Sequence, residues 1–181
     1  MRIRRQWCRL RHALSQDDFY SSPVNVNQYA YFALFSRNTS ATAMAAILGL
    51  EPDETTVRGS RWTEPNVIPA RHCWKIVCRE PGLCVDEQVA RVIERLVPHT
   101  AAIAAPASRL DTEGEGSGAV LEVVRYFNDQ EAEQHDRSDA AGGTPNLFGW
   151  HLDREVLDFL QATGAVLDVD EYDMTPDYAD D

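Results

Sequence analysis

Apolar and polar positions alternate along the chain in two periods, and each stretch of one period gives way to the other at a turn signal. Residues 29–36 (YAYFALFS) are aromatic-rich and apolar on both sides, which predicts a short buried strand. The polar RNTS that follows supplies capping side chains. Met44, Ile47 and Leu48 then fall at i, i+3 and i+4 and predict a two-turn helix that Gly49 ends. A short extended piece is expected around Thr55–Gly59, before a loop with two prolines. Residues 71–80 (RHCWKIVCRE) return to the strand period, with Trp74, Ile76 and Cys78 on one side and Cys73, Lys75 and Arg79 on the other.

The longest helix presents Val89, Val92, Ile93, Leu96 and Val97 on one face, carries Asp86 and Glu87 in its first turn, and is kinked or restarted by Pro98 toward Leu110. Beyond the break DTEGEGSG, residues 118–127 (GAVLEVVRYF) read as a strand with Leu121 and Val123 inward and Glu122 and Tyr126 outward. Asp153 caps a last helix with Val156, Leu157, Phe159 and Leu160 inward. Gly164 ends it, and AVLDVDEY forms the closing strand. The element order is strand, helix, strand or two, helix, strand, helix, strand. So few helices shield one face of a sheet, which predicts an α+β two-layer sandwich of ferredoxin-like character, with a mixed or antiparallel sheet and its helices on one face. Residues 1–25 read as a flexible or weakly structured basic extension, 26–173 as one domain with a mobile loop at 128–149, and 174–181 as an acidic tail.

Several of these stretches carry a resemblance. The segments ILGLEPDETTVRGSRW, the Trp74 strand, VIERLVPHTAAIAAPASRL and LDREVLDFLQATGAVLDVDEY resemble the bacterial family catalogued as domain of unknown function 4279 over about residues 28–173. The closing match runs from Thr163 to Tyr172, with Thr163 where the family usually has Leu. The resemblance implies a fold and no reaction.

Charge narrows the partners. The 181 residues carry a net charge of −12, yet Arg2, Arg4, Arg5, Arg9 and Arg11 precede the first acid, Asp17. Residues 13–181 therefore hold 12 basic against 29 acidic groups, a balance of −17. Such a body repels phosphate backbones, which argues against nucleic acid and for a basic protein partner, or simply for solubility. Cys8, Cys73, Cys78 and Cys84 lack the paired spacing of structural zinc sites, and reduced thiols suit a cytoplasmic protein. No stretch reaches the roughly 18 apolar residues of a membrane span. Gly114, Gly116 and Gly118 follow a helix and open a strand, the reverse of a phosphate-binding loop. No nucleophile elbow, P-loop or HExxH motif is present, so no catalytic residue, cofactor or metal is assigned.

The face away from the helices remains. If Leu167 and Val169 face the helices, then Val166, Asp168, Asp170 and Tyr172 face away, the two aspartates about 7 Å apart. With Tyr31, Lys75 and Tyr126 they make a candidate binding surface of phenolic rings and charges. The expectation is a non-enzymatic binding protein that sequesters a basic protein partner in the manner of a small acidic immunity or antitoxin protein. Homodimerisation through the same face and a solvated face with the aspartates paired to Lys75 or Arg79 are the competing accounts. The other functional reading is an enzyme or small-anion site at the 58–62 turn and the 128–149 loop, with Arg58 and Arg61 holding the anion.

Overall fold

The computed structural model describes residues 26–60, 68–128 and 149–175. The expected extension at 1–25, Arg61, almost all of the 128–149 loop and most of the tail lie outside these residues.

The apolar run at the start of the domain becomes β1, Val26–Ser36, and its two-sided character is explained by its place. It is the central strand of a five-stranded sheet ordered β2-β3-β1-β4-β5, where β2 is Glu54–Thr56, β3 His72–Cys78, β4 Gly118–Phe127 and β5 Val166–Asp173. Its helix-side residues enter the core, and on its other face Tyr31 and Ala33 are buried among the side chains of the flanking strands, so its positions need not alternate in polarity. β1 runs antiparallel to β3 and β4, β2 antiparallel to β3, and β5 parallel to β4. Parallel pairing requires a crossover, and the helix Arg154–Thr163 supplies it.

Four α-helices are seen among the described residues: α1 (Ala41–Leu48), α2 (Val85–Leu96), α3 (Thr100–Asp111) and α4 (Arg154–Thr163). α1 and α4 begin on side-chain caps and end on left-handed glycines. The Ser40 hydroxyl accepts from the Ala43 N–H at 3.2 Å, and Gly49 closes α1 at φ 61°, donating to the Ala45 carbonyl. Asp153 accepts from the Val156 N–H at 3.2 Å, and Gly164 closes α4 at φ 66°. Pro98 interrupts the long apolar stripe as expected, turning Val97–His99 into a 3-10 segment between α2 and α3.

All four helices meet the same side of the sheet. Phe32, Leu34, Trp74, Ile76 and Leu121 are fully buried there against Met44, Val92, Ile93, Ile103, Leu110 and Phe159, and Phe159 meets Phe32 edge-on at 5.4 Å. The Trp74 indole N–H is satisfied by the Leu50 carbonyl at 3.2 Å. Buried Gln88 of α2 donates to the Gln28 carbonyl at 3.0 Å, and Gln28 donates to the Leu83 carbonyl at 2.9 Å, which ties the helix start to β1. The expected two-layer α+β sandwich with helices on one face is therefore what forms. The mixed strand order adds nothing in favour of the finer ferredoxin-like likeness.

Three apolar positions read at helical spacing are exposed, and for Leu157, expected inward, this is a correction. Ile47 and Leu157 are each 49% exposed, because α1 and α4 lie on the sheet along narrower stripes, Ala41, Met44, Ala45 and Leu48 in one and Val156, Phe159 and Thr163 in the other. Val97 is exposed because the 3-10 segment rotates it off the α2 stripe. The extended piece near Thr55 is shorter than expected, closing at Thr56 before a turn in which Gly59 donates to the Pro69 carbonyl.

Candidate functional site

Strand alternation sends a second set of residues to the other face, which no described helix covers. Tyr31, Ala33, Cys73 and Val124 are buried there, with Tyr29, Phe35, Val77 and Tyr126 packed around them. The pairing of β4 with β5 sets Glu122 beside Asp168, Val124 beside Asp170 and Tyr126 beside Tyr172. The structure thus brings Tyr31, Lys75, Tyr126, Asp168, Asp170 and Tyr172 onto one surface.

That surface is polarised from edge to edge. On the β3 side, Lys75 Nζ stands 3.7 Å from the Tyr31 ring centroid and the Arg79 guanidinium 3.9 Å from that of Tyr29, while Arg71 lies 4.7 Å over Phe35. Both Lys75 and Arg79 pair with Glu54 of β2, at 3.7 and 3.1 Å. The aspartates are therefore not the partners of these bases. Glu54 is the residue the sequence reading missed, and only the register of the three-residue strand β2 against Lys75 reveals it.

On the other side the carboxylates gather. The Tyr31 hydroxyl donates to Glu122, and the Tyr172 hydroxyl donates to Asp170 at 3.1 Å. Tyr126 and Tyr172 stack at 5.1 Å. Burial pushes the Glu122 carboxyl above the usual carboxylate range and the Asp170 and Asp168 charges add to it, outweighing the Tyr31 bond. Burial and the Glu122 bond likewise hold the Tyr31 phenol well above its ordinary value, and the bond to Asp170 raises Tyr172. Among the described residues no cation pairs with Asp168 or Asp170.

A cavity of about 330 Å³ is lined by Glu54, Thr55, Thr56, Cys73 and Lys75, but burial pushes the Cys73 thiol up to about 11, so it stays protonated and poorly nucleophilic near neutrality. No group of three His, Cys, Asp or Glu side chains among the described residues is arranged to hold a metal. Arg58 braces its turn, its side chain donating to the Arg37 carbonyl at 2.9 Å and its N–H to His72 Nδ1 at 3.2 Å.

Comparison with known proteins adds one match. Residues 25–174 match the family described as Domain of unknown function (DUF4279), close to the limits the sequence resemblance set. No curated protein and no solved structure matches the chain.

Proposed function

The chain belongs to the DUF4279 family, and because that description names no reaction, we propose a function from the open sheet face: non-enzymatic capture of a basic protein partner, as a small acidic immunity or antitoxin protein captures its target. The supporting observation is the split of charge across the face. Lys75 and Arg79 share the one carboxylate of Glu54, whereas Asp168, Asp170 and the half-buried Glu122 crowd one another without an ion pair to any base among the described residues, Lys75 acting on Glu122 only at longer range. Burying such a cluster against neutral surface is costly, and burying it against guanidinium or ammonium groups relieves the repulsion. The stacked Tyr126 and Tyr172 rings beside it give flat apolar area with polar tips, the composition of an interface centre. The excess of acid over residues 13–181 disfavours nucleic acid, and no described helix is long and apolar enough to cross a membrane. The free thiols Cys73, Cys78 and Cys84 support a reducing, cytoplasmic setting.

The test is retention of proteins from a lysate of the native host on the immobilised chain, compared with Asp168→Ala/Asp170→Ala and read by mass spectrometry. We expect basic proteins that elute as salt rises and whose capture falls at least tenfold on the variant, since a charge-assisted hydrogen bond contributes about 1.5–3 kcal/mol. Thermal stability should move by less than about 1 kcal/mol, because both side chains are at an exposed edge. Equal capture by the variant overturns the assignment of the face.

A further inference from the structure

We propose that the basic N-terminal segment, residues 1–16, docks in cis on the β4–β5 side of this same open face. The face itself shows what it accepts. Tyr29 and Tyr31 each carry a cation over the ring, with a carboxylate of Glu54 closing the group from the side. The Tyr126–Tyr172 pair repeats the rings and, in Asp170, the carboxylate, but among the described residues no cation lies over either ring. Arginine fits both parts of that arrangement, its flat guanidinium stacking on a phenol ring while its N–H groups reach a carboxylate.

The chain carries such arginines a short tether before the strand that enters this face. Five fall between Arg2 and Arg11 with no acid before Asp17, and Ile3, Trp7 and Leu10 lie among them. The segment enters the sheet at Val26, which pairs with Phe127, itself paired with Asp173. That is the end of the sheet where Tyr126 and Tyr172 stand. The nine residues 17–25 can span ~30 Å when extended, whereas β1 and β5 lie only about 10 Å apart across β4. Short tethers give effective concentrations on the order of millimolar. An affinity as weak as about 1 mM would therefore keep the face half occupied. Exposed Val166, beside Asp168, offers apolar contact that a purely electrostatic pairing lacks.

Docking stands without any partner, while its consequence, that the segment competes with a captured protein, rests on the function proposed above. The experiment is backbone amide NMR of the full chain against a variant with all five arginines replaced (Arg2→Gln, Arg4→Gln, Arg5→Gln, Arg9→Gln, Arg11→Gln), which leaves the sheet untouched. We expect shift differences concentrated on residues 166–173 and on Tyr126, collapsing between 50 and 500 mM salt as charge pairing on the order of a ten-ångström range is screened. A synthetic peptide of residues 1–16 added to the five-fold variant should restore the wild-type shifts saturably, and should fail to do so when Asp168→Asn and Asp170→Asn are added. Identical β5 shifts in wild type and variant overturn the proposal. Differences that grow with protein concentration overturn it too, because they assign the contact to a second copy. Neither result touches the lysate test, so the two ideas fail separately.

Discussion

Glu122 is the residue at which the two sides of the open face meet, and its protonation should be readable in stability. Burial first, and then the Asp170 and Asp168 charges, raise its carboxyl above the unfolded value. A carboxyl raised in this way favours the folded state most when protonated, so its contribution is fully present below the unfolded pKa and is lost as pH rises through the folded one. Glu122→Gln keeps an acceptor for the Tyr31 hydroxyl and removes the charge. It should raise the melting temperature at pH 7 relative to wild type, with the advantage vanishing near pH 4, and a pH series of thermal melts checks this. Asp53 has the opposite sign. Burial works against its charge but is outweighed by the two Arg95 contacts at 2.7 and 2.9 Å and by the Val77 N–H at 2.8 Å, so its carboxyl sits below the ordinary range. That stability is present above the unfolded pKa and is lost as pH falls through the folded one. Asp53→Asn should therefore cost stability at pH 7 and little at pH 2. The loss should be under about 1 kcal/mol, since both side chains of the pair are partly exposed.

At the scale of elements, the corner between β1 and α1 depends on one hydroxyl. Ser36 is fully buried; its Oγ donates to Glu113 at 2.7 Å and accepts from the N–H groups of Asn38 and Thr39 at 3.1 and 2.7 Å. Ser36→Ala strips the Asn38 and Thr39 N–H groups of their partner and leaves Glu113 only the Arg37 N–H, so it should cost about 1–3 kcal/mol by chemical denaturation, whereas Leu157→Ala on the exposed side of α4 should stay within about 0.5 kcal/mol. The contrast between these two positions is also the contrast between what the sequence makes legible and what it does not. Period-two alternation placed Trp74, Ile76, Leu121 and Val123 on the helix side and Glu122, Asp168 and Asp170 on the other, because a strand's pleat is a local property, while the two-sided apolar character of β1 left the side of Tyr31 to packing. Glycine and Ser/Asp caps marked the ends of α1 and α4 for the same reason. Ser36 to Glu113, Glu54 to Lys75 and Arg95 to Asp53 join residues from different elements, and their pairing follows from register and packing that no local pattern encodes. Ile47 and Leu157 fail differently. A leucine at helical spacing is inward only if the helix lies on its apolar stripe, and that tilt is set by the neighbouring helices.

For the whole molecule the deciding quantity is charge distribution. A net charge of −12 repels a second copy at low salt, yet the polarised face, bases toward β3 and acids toward β5, is in outline complementary to itself under a two-fold axis. The local pairing favours repulsion: Lys75 and Arg79 are already engaged with the one carboxylate of Glu54, so a second copy would offer the β5 acids bases that are partly satisfied, together with its own net negative charge. Sedimentation should accordingly give a monomer at low ionic strength, and a dimer there would mean that the face is shared between copies. Coverage by a foreign partner can be followed directly, because Lys75 is the only lysine of the chain. Its amine lies over Tyr31 on the β3 side, two strands away from β4, with its side chain 18% exposed. A partner that spans the face should slow acylation of Lys75 severalfold at saturation, and added salt should restore the rate. The docked N-terminal segment, confined to the β4–β5 side, should leave that rate unchanged between wild type and the five-fold arginine variant. Should Lys75 react equally fast with the partner bound, the captured protein grips the acidic edge alone, and the tyrosines between β3 and β4 serve only to hold the sheet.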